Sequence, residues 1–111
     1  MKRFLFVFSM VAVVALAACK KEDMISFDED EFIFEYTGGT DQVTIITNVR
    51  WKVSATADWI TLTPEEGRIT VVLKVSVTEN TSDSERYGEV IVTQVGGEQI
   101  SDTLKVIQRA R

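Results

Sequence analysis

The run Thr70-Val71-Val72-Leu73-Lys74-Val75-Ser76-Val77-Thr78, TVVLKVSVT, decides the fold. In an extended chain Val71, Leu73, Val75 and Val77 lie on one face, with Val72, Lys74 and Ser76 opposite. That is the period of two demanded of a half-buried strand. β-Branched residues crowd the run, and no stretch of the chain sustains a period of 3.6, so the pattern argues against helix.

Shorter runs of the same kind lie on either side. Phe32, Phe34 and Tyr36 alternate with Ile33 and Glu35, which suits an edge strand, and Thr37-Gly38-Gly39-Thr40-Asp41 reads as a turn. Val43 and Ile45 flank Thr44 before Asn48 ends the run; Trp51 and Val53 face one way, Arg50, Lys52 and Ser54 the other. Downstream, Val90 and Val92 alternate with Glu89 and Thr93, and Leu104 and Val106 with Lys105. A two-residue turn at Gly96-Gly97 would set Leu104 opposite Glu89 and expose one strand's apolar set. A three-residue loop, Gly96 to Glu98, pairs Val90 with Leu104 instead, and that register is expected. The fold class is all-β: an immunoglobulin-like antiparallel β-sandwich of about seven strands, preceded by a lipoprotein signal peptide.

The chain has 111 residues, enough for one domain. Its first segment stands outside that domain. Lys2 and Arg3 precede an apolar stretch from Phe4 to Leu16, broken only by Ser9. The stretch is shorter than the roughly 20 residues of a membrane span and fits the roughly 7–15 of a secretory signal core. Leu16-Ala17-Ala18-Cys19 closes it with the only cysteine in the chain. This looks like a bacterial lipobox, which implies a diacylglyceryl group on the Cys19 sulfur and cleavage before it. Single acyl chains bind bilayers marginally, whereas two or more hold stably. The Lys21-Glu22-Asp23 that follows resembles the export signal of surface-exposed Bacteroidetes lipoproteins. The expected organisation is residues 1–18 as signal peptide, 19–30 as a lipidated acidic tether, and 31–111 as the sandwich. The expected location is the outer membrane, lipid-anchored, facing the cell surface.

Removing Lys2 and Arg3 takes the basic residues from 12 to 10 against 17 acidic ones, a mature net charge of −7. An acidic surface repels phosphate backbones, so nucleic acid is not an expected partner. With no histidine and no second cysteine, the chain lacks the usual base for an activated nucleophile and the usual ligands of a zinc site. The acidic run Asp28-Glu29-Asp30-Glu31 lacks the glycine and spacing of a calcium loop and reads as solvated tether. No catalytic residue, metal or cofactor is expected.

From Gly38 to Gln108 the sequence resembles the BACON domain, an immunoglobulin-like sandwich found in Bacteroidetes carbohydrate-processing proteins. The resemblance rests on Gly38-Gly39, Asn48-Val49-Arg50-Trp51, Asp58-Trp59-Ile60, Gly67, Asn80, Arg86-Tyr87-Gly88 and Leu104-Lys105-Val106-Ile107-Gln108. It implies carbohydrate binding, here to glycans or mucin-like material. The alternative is a spacer or accessory subunit of an outer-membrane complex without glycan affinity. Candidate carbohydrate-binding residues are Trp59, Arg86 and Tyr87.

Physical bookkeeping constrains those candidates. A buried tryptophan removes about 150–250 Å² from water, worth on the order of 4–6 kcal/mol at 25 cal/mol per Å². Small domains have only about 5–15 kcal/mol of total stability. Trp51 and Trp59 are therefore expected to serve the scaffold first, Trp51 in the core and Trp59 near a loop end. Tyr36 and Tyr87 are expected at the surface. Asn80 reads as a turn residue, and Arg86 as a partner of a carboxylate or a cap on loop carbonyls. Gln108 shares the parity of Leu104 and Val106, so it should point inward and require partners. Asp102-Thr103-Leu104 resembles a Bacteroidetes O-glycosylation motif.

Overall fold

A computed structural model describes residues 22–111. The lipobox Leu16-Ala17-Ala18-Cys19 and Lys21 lie outside the described residues. Among the described residues, nine strands form two packed sheets: β1 (Ile25–Phe27), β2 (Glu31–Phe34), β3 (Gly39–Thr47), β4 (Trp51–Ala55), β5 (Ile60–Thr63), β6 (Glu66–Gly67), β7 (Val71–Val77), β8 (Arg86–Gln94) and β9 (Ser101–Gln108). One sheet has the order β1-β3-β7-β5, the other β2-β9-β8-β4-β6. The architecture is the immunoglobulin-like sandwich expected from the strand pattern.

The inner faces follow the period-two pattern closely. Leu73, Val75 and Val77 of β7 are buried beside Val43 and Ile45 of β3, while Val72 and Lys74 face solvent. From the second sheet, Trp51, Val90, Val92, Leu104 and Val106 complete the interior. Trp51 is only 1 % exposed, and its Nε1 donates to the Ile69 carbonyl at 3.0 Å, so the indole is buried without an orphan donor. Val90 pairs with Leu104, the register that keeps both apolar sets inside.

Three boundaries differ from the sequence reading. The sandwich starts at Ile25 rather than Glu31: β1 pairs with β3, Ile25 against Thr47, and buries Ile25 and Phe27. The acidic run is a crossover between sheets, because Asp28 bonds Thr44 on one sheet and the Asp30 carbonyl accepts from Lys105 on the other. That crossing delivers β2 beside β9 in the same direction, so this edge pair is parallel in an otherwise antiparallel fold. The β8–β9 loop is also longer than three residues. The Gln94 amide reaches the Ile100 carbonyl at 2.9 Å, leaving Val95 to Gln99 as the loop. Three and five residues preserve the same parity. The longer loop forms because the Val95 amide turns to the Arg50 carbonyl (2.9 Å), while Gly96, Gly97 and Gln99 take left-handed φ angles.

The strands give the sandwich two poles. At one stand Met24, Asn48, Ile69 and Val95; at the other stand Trp59, Asn80, Arg86 and the final residues.

Candidate functional site

Arg86 and Tyr87 are neighbours on β8, and a strand sends neighbours to opposite faces. The structure therefore divides the three candidate residues. Arg86 turns toward Trp59, with the guanidinium carbon 4.3 Å from the indole centroid. Such a stack contributes about 0.5–1 kcal/mol at a partly exposed position. Trp59 is half-buried and packs on the core, as its scaffold reading expects.

Beneath that stack lies a polar hub. Arg86 Nε donates to Gln108 Oε1 at 2.7 Å, and Arg86 Nη2 donates to the carbonyls of Thr78 (3.1 Å) and Glu79 (3.2 Å). Gln108 is fully buried, and its Nε2 donates to Thr78 O (2.8 Å), Glu35 O (3.1 Å) and Tyr36 O (3.3 Å). One amide and one guanidinium thus satisfy the carbonyls of two loops at the end of the sandwich. Arg86 caps loop carbonyls. Asn80 extends the hub: buried, it donates to Ser84 O and Arg109 O and accepts from Ser82. It is a turn residue, as expected, with the added task of fastening the C-terminal end. No buried side-chain nitrogen or oxygen among the described residues lacks a partner.

Tyr87 stands on the outer face of the five-stranded sheet and is 70 % exposed. Its cross-strand partner is Ile107, whose neighbour on β2 is the exposed Ile33, so an apolar stripe crosses three strands. Beside it an open recess of about 500 Å³ is lined by Thr56, Tyr87, Gly88, Glu89, Lys105 and Ile107. Glu89 and Lys105 sit opposite each other on β8 and β9. Thr56 continues the β4–β8 ladder: its Oγ1 accepts from the Glu89 amide at 2.9 Å, and its own amide donates to Glu89 O. An aromatic face flanked by a carboxylate, an ammonium and a hydroxyl can hold a flat apolar surface while its polar edge is hydrogen-bonded. The sequence placed Tyr87 at the surface but did not indicate Ile33, Ile107, Glu89, Lys105 or Thr56. Those partners depend on the pairing of the strands, although the alternation in β8 and β9 could have revealed three of the five, Glu89, Lys105 and Ile107.

A second opening of about 650 Å³ runs between β4 and β5, with Val53, Ala55, Ile60 and Leu62 in its lining. It arises because β6 covers only the Trp51–Lys52 end of β4, and β5 is the edge of its own sheet. Among the described residues, no group of three carboxylate, histidine or cysteine side chains stands close enough to hold a metal ion. Glu22 and Asp23 of the export-like segment are exposed, yet both are tied to the sandwich. Asn48 Nδ2 donates to Glu22 O (2.8 Å) and Gln94 Nε2 to Asp23 Oδ2 (3.0 Å).

The two sheets and the Tyr87 recess define an immunoglobulin-like module with an open surface site. The chain belongs to the BACON family, whose model, described as "Putative binding domain, N-terminal", matches residues 49–109. No curated protein matches the sequence. Among solved structures, the chain is similar to part of a GH5 xyloglucanase from Bacteroides ovatus, solved with a XXXG heptasaccharide. The TM-score is 0.69 at 19% identity, over 81% of this chain and 19% of that one. It is also similar to the E. coli chaperone DraB (TM-score 0.64, 12% identity, 79% of this chain and 55% of that one). A Bacteroides thetaiotaomicron protein solved by NMR has TM-score 0.51 at 17% identity, over 83% and 92% of the two chains. These likenesses establish the shared fold. The chain spans about a fifth of the xyloglucanase and little more than half of the chaperone.

Proposed function

We propose that this protein is a non-catalytic, lipid-anchored module of the outer cell surface that holds a glycan against Tyr87. Cleavage before Cys19 and acylation of that residue hold the domain on the outer membrane, with Lys21-Glu22-Asp23 directing it outward. The sugar's apolar face stacks on the Tyr87 ring and Ile107, and its hydroxyls meet Glu89, Lys105 and Thr56.

One observation carries this reading: Tyr87 is a strongly exposed aromatic in an apolar stripe with polar groups of both charges in the same recess. The family's description as a binding domain supports it, as does similarity to a segment of a xyloglucan-processing enzyme. The test is a glycan array and a mucin pull-down with the native chain and Tyr87→Ala. Retention that Tyr87→Ala abolishes supports the proposal. Retention no greater than that of an unrelated acidic domain removes it.

The open groove between β4 and β5 favours a second reading, an accessory subunit that docks a larger outer-membrane complex by a sheet edge. Co-purification of a stoichiometric partner from detergent extracts, without sugar affinity, would select that reading.

A further inference from the structure

We infer that the sandwich rests on the bilayer by its Met24–Ile69–Val95 pole, which holds the Tyr87 recess away from the membrane. The inference rests on the lipid anchor at Cys19 and adds the orientation of the domain and the surface that meets lipid.

The path of the chain supplies the first argument. Asn48 and Gln94 fasten Glu22 and Asp23 to one pole, and Cys19 stands only three positions before Glu22. At about 3.3–3.6 Å per extended residue, that leash spans roughly 10 Å. Tyr87 lies seven residues up β8 from Gln94, roughly 25 Å at strand spacing. A short leash at one end keeps that end close to the headgroups.

The surface of the pole supplies the second. Ile69, at 69 % exposed, is the most exposed of its large aliphatic side chains, and Met24 and Val95 are also exposed. Hydrogen bonds fasten the backbone at each of the three to the β3–β4 segment. Thr47 Oγ1 donates to Met24 O, Thr47 N to Thr70 Oγ1, and Trp51 Nε1 to Ile69 O, while Val95 N donates to Arg50 O. The backbone beneath these side chains is held in place, and neither Ile69 nor Val95 is needed to fill the core. Arg50 and Arg68 are exposed among them, and Glu22, Asp23, Glu66 and Glu98 are the acidic residues of the same pole. These charges sum to −2, so anionic lipid does not attract the pole, and the contact is made by apolar tips in the interfacial layer. It contributes orientation, because the acyl chains already hold the protein at the surface.

The full lipidated chain, reconstituted in phosphatidylcholine vesicles, provides the test. Lipid blocks the Cys19 thiol, so Ile69→Cys, Val95→Cys and Tyr87→Cys each offer one labelling site for a polarity-sensitive fluorophore. On vesicles the probes at 69 and 95 should blue-shift and lose several-fold in quenching by aqueous iodide, while the probe at 87 is unchanged. Protein that floats with vesicles but shows equal quenching at all three sites overturns the orientation and leaves the anchor standing. Protein that fails to float, with a free thiol at Cys19, removes both.

Discussion

Arg86 Nε and Gln108 Oε1 are 2.7 Å apart, and that bond couples the first residue of β8 to the last of β9. Through the same two side chains the Glu35–Tyr36 and Thr78–Glu79 segments are held to the end of the sandwich. Replacing Gln108 with Leu would preserve bulk but leave Arg86 Nε without its acceptor. The carbonyls of Thr78, Glu35 and Tyr36 each keep one other donor, Arg86 Nη2, Gly38 N and Asn80 N respectively. An unsatisfied buried polar group costs about 1–3 kcal/mol, so Gln108→Leu should lose about 1–3 kcal/mol in urea unfolding. A loss within error of zero would show that water replaces the amide.

Gly67 faces the rim of the Trp51 indole. A Cβ there would stand 2.6 Å from Trp51 Cζ2 and 3.0 Å from Cε2, and the ring is held by its bond to Ile69. Overpacking of this kind costs about 1–3 kcal/mol. Gly67→Ala should therefore lower the unfolding midpoint and redden Trp51 emission. An unchanged spectrum would show that β6 moves aside instead.

Phe27 separates a strand from a tether. As part of the core it should cost about 3 kcal/mol on conversion to Ala, whereas a tether residue would cost almost nothing. Asp102→Ala provides a gentler companion. Its Oδ2 accepts from the Phe27 amide at 2.9 Å, and its loss should speed hydrogen exchange at Phe27 and leave Val75 protected.

Tyr87→Ala should change stability by no more than about 0.5 kcal/mol, since the ring is exposed. If the ring stacks on a bound sugar, affinity should fall about tenfold, equivalent to about 1.4 kcal/mol. Titration of one retained glycan against both proteins measures it. Equal affinities would exclude Tyr87 as the platform.

Much of the fold was legible because burial is written as parity. Val71 to Val77, Val90, Val92, Leu104 and Val106 state which face is inside, and Gln108 announced its burial by sharing that parity. β1 escaped because Ile25 and Phe27 make only one and a half alternations beside an acidic run that resembles a solvated tether. The parallel pairing of β2 depends on a crossover between sheets, which no local pattern encodes. The surface site was half legible for the same reason. Tyr87 can be read from one strand, but Ile33 and Ile107 become its companions only once three strands are registered.

The opposite orientation of Arg86 and Tyr87 has an evolutionary consequence. One side of β8 is locked by partners that must change together, while the other meets solvent and can drift one residue at a time. If the Tyr87 face holds a ligand, lineages could thus exchange one ligand for another by substitutions on the outward side alone, keeping the frame intact as overall resemblance between sequences decays.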